Sequence, residues 1–248
     1  MLKTEKAPDC KVRGFFIRAT IYQQTMIDNP SDTLLGFYLS HLGRFDLRLN
    51  STNRLFAIEN GGAEVRTAGH TVMIRQMPLP QEWLSSDRVE AATAWLFYVN
   101  KHNASEEQLT FSIELQPETD LIGEVGTGQR LFTAEFKNGI RQLHLGTEDE
   151  EAMAQRAYAE DGMPSRLISL LTSPTIELAK LSPDKRGVRT QIPQLYAGEQ
   201  FYFHYILAEN PYRESVDYPG EIDIATWVTV DQPKHRLEKA WQEHTKKL

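Results

Sequence analysis

Seven histidines, His41, His70, His102, His144, His204, His235 and His244, are the side chains here best suited to acid–base or metal chemistry near neutral pH. None pairs with another at i, i+2 along a strand or at i, i+4 around a carboxylate. With His-x-His and His-Glu-x-x-His both absent, a metal site would have to be gathered from distant strands, for example from His70, His144 and His204. Glu221 and Asp223 stand two apart in a stretch that alternates like a strand, which would place both carboxylates on one face. Such a pair could hold a cation or share proton transfer. Alternation with Ile222 and Ile224 equally describes the wet face of a sheet. Gly123-Glu124-Val125-Gly126-Thr127-Gly128 lacks the Gly-Lys-Ser/Thr ending of a phosphate loop and reads as a loose connection. No Gly-x-Ser-x-Gly elbow occurs, and Cys10, the single cysteine, has no sequence neighbour that would activate it. The sequence therefore assigns no catalytic residue, no metal ligand and no cofactor.

Aromatic residues make the stronger pattern. Phe201, Tyr202, Phe203, Tyr205, Tyr212 and Tyr218 crowd one region, with Trp227 and Trp241 soon after. Rings on both faces of one strand imply core on one side and an interface, or a groove for sugars or bases, on the other. On that reading Tyr202, His204, Tyr212, Tyr218 and Trp241 are the expected binding residues.

The elements that would position them have a dominant period of two. Strands are expected at Phe15–Tyr22, Leu34–Leu39, Arg44–Leu49, Arg54–Ile58, Glu64–Thr67, His70–Arg75, Ala94–Val99, Leu109–Leu115, Thr175–Leu181, Phe201–Leu207 and Ile222–Val230. The segments Ala94–Val99 and Leu109–Leu115 are expected to pair as a hairpin. Asn60-Gly61 and Asn138-Gly139 supply the positive φ angles of tight turns, the second joining strands at 130–136 and 139–145. A helical turn is expected after Asp87 as cap. Thr147 with Glu150 reads as a capping box opening a helix over 148–161, followed by a helical piece at Ser165–Leu171. After Pro233, the residues Leu237, Ala240, Trp241 and His244 form the apolar stripe of a closing amphipathic helix. The fold class is mainly β (α+β), a β-sandwich or partly closed barrel with those two helices. Residues 1–248 read as a single domain, with 147–174 the place for any subdivision.

Composition limits the function. Of 248 residues, 40% are apolar and 25% charged, enough to build a sizeable core. The net charge of −7 and pI of about 5.6 disfavour non-specific binding of nucleic acid, although both ends of the chain are basic. Glu148 to Asp161 is acidic, so copies could stack acidic patch to basic patch. The longest apolar run, Ala94–Val99, is far too short to span a bilayer. The lone cysteine and a leaderless N-terminus fit a cytoplasmic protein. The expectation is a non-catalytic binding or assembly subunit acting on a protein partner or on itself. Its contacts would lie in loops 210–220 and 100–107 and in the basic closing helix. The alternatives are an enzyme with dispersed histidines and carboxylates, and a component of an RNA–protein particle.

Overall fold

The computed structural model describes residues 32–51, 54–58, 62–117, 120–128 and 130–247. The expected strand Phe15–Tyr22, Cys10 and the Asn60-Gly61 tip lie outside the described residues.

Two antiparallel sheets form the scaffold. The first has five strands in the spatial order β1 (Asp32–Ser40), β2 (Gly43–Asn50), β7 (Thr110–Leu115), β12 (Gly187–Gln191), β11 (Ala179–Leu181). The second has eight, in the order β3 (Arg54–Ile58), β4 (Gly62–Arg66), β5 (His70–Pro78), β6 (Ala91–Lys101), β13 (Gln200–Pro211), β10 (Arg141–Glu148), β9 (Leu131–Lys137), β8 (Glu124–Gly128). Among the described residues neither sheet closes on itself, so they form an α+β sandwich and no closed barrel.

Alternation decides which side chains meet between the sheets. Phe45, Leu47 and Leu49 of β2 and Phe111, Ile113 and Leu115 of β7 face Trp95, Phe97 and Val99 of β6 and Phe201, Phe203, Tyr205 and Leu207 of β13 in one core. The rings of Phe97 and Phe203 stack at 4.4 Å, and Phe111 and Tyr205 close around them. Such a ring pair contributes about 0.5–1.5 kcal/mol beyond the area it buries. Polar contacts also tie the sheets together, among them the Tyr205 hydroxyl donating to Thr190 Oγ1 at 2.8 Å and the Tyr38 hydroxyl to Glu209 Oε1 at 3.3 Å. The outer face of the five-stranded sheet is polar, with Arg44, Asp46 and Arg48 alternating with the core residues of β2. Asp46, however, is buried there, clamped by Arg44 Nε at 2.6 Å and Arg48 Nη2 at 2.9 Å.

The eight-stranded sheet has a second apolar face, made by Ala94, Leu96, Tyr202, Ile206 and Ala208. Three helices cover it: α1 (Gln81–Asp87), α4 (Ala225–Val230) and α5 (Lys234–Thr245). Leu237 and Ala240 of α5 are buried against this face, so the closing helix docks on its own sheet. Gly146 of β10 lets α4 approach, because a Cβ there would sit 2.8 Å from Val230 Cγ2. The remaining helices, α2 (Glu150–Tyr158) and α3 (Ile168–Leu171), with a 3-10 turn at Ser165–Leu167, add Met153, Ala157, Leu167 and Leu171 to the core between the sheets.

Several expectations need correction. The segment Ile222–Val230 is not a strand. Only 225–230 is helical, with 226, 229 and 230 buried at the spacing of one helical face; Ile222 lies before it in a bridge to Glu214, and Ile224 is left exposed. The alternating β-branched residues at 226 and 230 satisfy both periods, and contact with β10 selects the helix. β6 and β7 do not form a hairpin: β6 pairs with β5 and β13, and β7 crosses to the other sheet. Residues 124–128 are an edge strand paired with β9, not a loose loop. The cap of α2 is Asp149, whose Oδ1 accepts from Ala152 N at 2.9 Å, because Thr147 stays in the β10 ladder opposite Phe132. Asp87 ends α1 rather than opening a helix, and its carboxylate accepts from Thr229 Oγ1 at 3.1 Å. Only Ala179–Leu181 of the expected strand 175–181 pairs.

Gly187 opens β12 where it crosses β7. A Cβ at this position would lie 1.9 Å from the Ile113 carbonyl oxygen and 2.7 Å from Glu114 Cα, both backbone atoms that cannot step aside. Gly187→Ala is therefore expected to destabilise the fold by about 2 kcal/mol or more, at the upper part of overpacking costs. Urea unfolding measures this, and an unchanged midpoint would show that β12 does not approach β7 so closely.

Candidate interaction surface

The five residues singled out by the aromatic pattern divide into two groups. Tyr202 and His204 lie on the helix-covered face of β13 and are both about 1% exposed. The Tyr202 ring carries the Arg156 guanidinium at 4.8 Å and Lys234 Nζ at 5.3 Å, and meets Tyr98 edge-on. Trp241 is half-buried on α5 and shares the Arg75 guanidinium with Tyr98. These three residues hold the closing helix to its sheet. Tyr212 and Tyr218 lie elsewhere, in the loop between β13 and α4.

Beside Tyr202 runs a cleft of about 460 Å³ between α2 and the start of α5. Its arginines and its lysine already have opposite partners, whereas the Asp231 carboxylate, which also lines it, has no ion pair among the described residues. Arg156 holds Glu148 through Nε at 2.8 Å and Nη2 at 2.5 Å, and also donates to the carbonyl oxygens of Tyr202 and Asp161. Lys234 pairs with Asp161 and Glu238, and Arg130 with Glu151. The Glu148–Arg156 pair is buried and fixes α2 against the sheet, so removing one partner would strand the other in a dry site. His204 lies against this lattice, its Nδ1 3.9 Å from Glu148 Oε2 and without a hydrogen bond. Burial lowers its pKa to about 4, so the ring is neutral in the fold at pH 7.

His70, His144 and His204 do not converge. His70 lies on the face of β5 that also carries Val72 and Ile74 into the core between the sheets, whereas His204 lies on the opposite, helix-covered face. His144 alternates with Leu143 and Leu145 of that core, so it too faces the helices, where Nδ1 contacts Thr226 Oγ1 at 2.8 Å. Among the described residues no cluster of three or more His, Cys, Asp or Glu is placed to hold a metal ion. Glu221 and Asp223 share no strand face. Asp223 pairs with Arg213 Nε at 2.9 Å and accepts from Gln142 Nε2 at 2.9 Å.

Those contacts of Asp223 build the base of the loop that carries Tyr212 and Tyr218. Gln142 Oε1 accepts from Arg213 N, Asp223 N donates to Arg213 O, Glu214 bridges Ile222, and Ser215 N donates to Glu221 O. Tyr212 N donates to Ile140 O at 2.7 Å, joining the loop to the tip of the β9–β10 hairpin. With its stem fixed, the loop presents Val216 at 97% exposure, Tyr218 at 64% and Ile224 at 69%, next to Ile140 at 74%. Glu214, Asp217 and Glu221 stand exposed around them. Isolated surface apolar residues are ordinary, but three on one short braced segment single it out as a candidate contact surface. The aromatic pattern pointed to Tyr212 and Tyr218. It missed Val216, Ile224 and Ile140, whose only sequence signal is their place in or beside turn-rich segments. The loop at 100–107 offers no such surface: Lys101 Nζ donates to Ser105 O, and Asn103 Nδ2 to Ala68 O.

The chain matches no protein-family model, and no curated protein is significantly similar to it. No helix among the described residues is long and apolar enough to cross a membrane.

The position of His204 has a pH consequence. Its folded pKa of about 4 lies below the ordinary value of 6.5, so the unfolded chain takes up the proton first as pH falls. The stability due to the neutral ring is complete above pH 6.5 and is lost as pH drops through that window towards 4. His204→Leu should therefore gain on the parent protein as pH is lowered from about 7 to about 4.5, read as the difference in urea midpoints. Parallel pH profiles would mean that the folded chain protonates His204 as readily as the unfolded one.

Proposed function

We propose that the protein is a non-catalytic binding or assembly subunit that acts through protein–protein contacts, with a second copy of itself as its partner. The observation that carries this reading is the braced β13–α4 loop, which holds Val216, Tyr218 and Ile224 in water. An apolar centre with a charged rim is the anatomy of a contact surface, and a fixed stem lowers the entropy cost of binding.

Charge favours a second copy. The loop from 212 to 224 carries Glu214, Asp217, Glu221 and Asp223 against Arg213 alone. The solvent face of α5 and the residues after it expose Arg236, Lys239, Lys246 and Lys247. Loop on one copy against helix on the next is a head-to-tail contact, which builds a ring if the rotation closes and a filament if it does not.

Light scattering on the full chain, over a range of concentration and salt, tests this. The expected mass is a multiple of 28.4 kDa at low salt, falling towards that value as salt screens the contact. Val216→Ser with Tyr218→Ser should be monomeric throughout while unfolding at the parent midpoint. A parent chain that stays monomeric at every concentration and captures nothing from an extract would overturn the proposal.

A further inference from the structure

A separate cavity of about 360 Å³ opens at the end of the sandwich where the chain passes from β6 to β7. Leu109, Ile192 and Pro193 form buried apolar walls, and Gln108, Gln194 and Glu106 stand exposed at the mouth. The polar floor is His70 with Glu107. His70 is only 3% exposed.

The Glu107 carboxylate is strongly anchored. Oε1 accepts from the Ser51 hydroxyl at 2.7 Å, and Oε2 accepts from the Thr67 hydroxyl and from Gly69 N at 3.0 Å. Burial works to raise its pKa, but these hydrogen bonds and one from His70 together hold it below the ordinary value. An ionised carboxylate only accepts, so the 3.2 Å contact with His70 Nδ1 places the imidazole proton on Nδ1. No hydrogen bond within the chain reaches Nε2, which is left as an acceptor open to the cavity, on a ring whose pKa is itself lowered, first by burial. A donor entering the cavity can take that position in place of water.

The surroundings select the donor. Two carboxylates line the cavity and no lysine or arginine does. The nearest ammonium, Lys101 Nζ, donates to Ser105 O at 2.6 Å, and His102 is exposed and contacts Thr71. An anion would meet Glu106 and Glu107 unopposed. A metal ion lacks a third ligand among the described residues. A purely apolar guest would leave Nε2 unmet. We propose that this cavity binds a primary alkylammonium group, with His70 Nε2 as its imidazole acceptor, Glu106 as the carboxylate at the mouth, and Leu109, Ile192 and Pro193 around the alkyl stem. The site is independent of the β13–α4 loop and does not rest on self-association.

Nitrogen-15 NMR of the histidine rings in the full chain, titrated with n-butylamine, butyrate and 1-butanol, reads the site directly. Butylamine should shift His70 Nε2 saturably, and butyrate and butanol should not. Nα-acetyllysine methylamide binding as well would assign the ammonium to a lysine side chain, whereas butylamine binding alone would assign it to a free amine. His70→Asn keeps a donor towards Glu107 and removes the Nε2 acceptor. It should weaken butylamine about tenfold or more, the loss of one hydrogen bond to a charged group. Glu106→Gln, an exposed change that leaves the core intact, should weaken it about threefold. No saturable shift with butylamine, or equal binding of butyrate, would overturn the proposal.

Discussion

The structure depends on β13 being buried on both faces. Ten consecutive residues, Phe201 to Asn210, are shielded from water. A strand in that position needs apolar cover on each side, because each fully buried large side chain contributes about 1.5–3 kcal/mol only while water stays out. The five-stranded sheet covers one side, and α1, α4 and α5 cover the other. The closing helix is thus part of the core's outer wall, and its apolar stripe is occupied at home.

This has a direct consequence for recognition. Residues that pack on β13 cannot also meet a partner without opening the fold. Tyr202, His204 and Trp241 belong to that category, along with the Glu148–Arg156 pair that locks α2 beside them. Recognition is left to segments that leave the sheet, and the β13–α4 loop does so with a hydrogen-bonded stem. The ladder that makes β13 the most enclosed strand also fixes where its following loop emerges, so scaffold and surface share one origin.

Strands with one wet face were legible in the sequence, because alternation alone sorts Phe45, Leu47 and Leu49 from Arg44 and Arg48. The hairpin over Asn138-Gly139 and the helix from 234 were legible for equally local reasons. Partner choice was not. β6 and β7 follow one another yet belong to different sheets, and only long-range pairing decides that. The segment 222–230 carried a pattern compatible with two periods, and the approach of Val230 over Gly146 settled it. For the candidate surface, the sequence found the crowd of rings but could not divide it. Tyr202 and Tyr218 look alike in composition, and their difference arises from whether the backbone is inside or outside the ladder. The His70–Glu107 pair was invisible because Glu107 and its partner Ser51 come from segments far along the chain from Thr67, Gly69 and His70.

The central claim is that the core encloses β13 and α5 while the β13–α4 loop meets other molecules. Amide hydrogen exchange on the full chain, compared at low and high protein concentration, tests it most directly. The account predicts that β13 amides are the slowest at both concentrations, and that residues 212–224 slow at the higher one. Loop exchange that is indifferent to concentration while the apolar stripe of α5 gains protection would contradict it, since the closing helix would then be the surface that meets its neighbour.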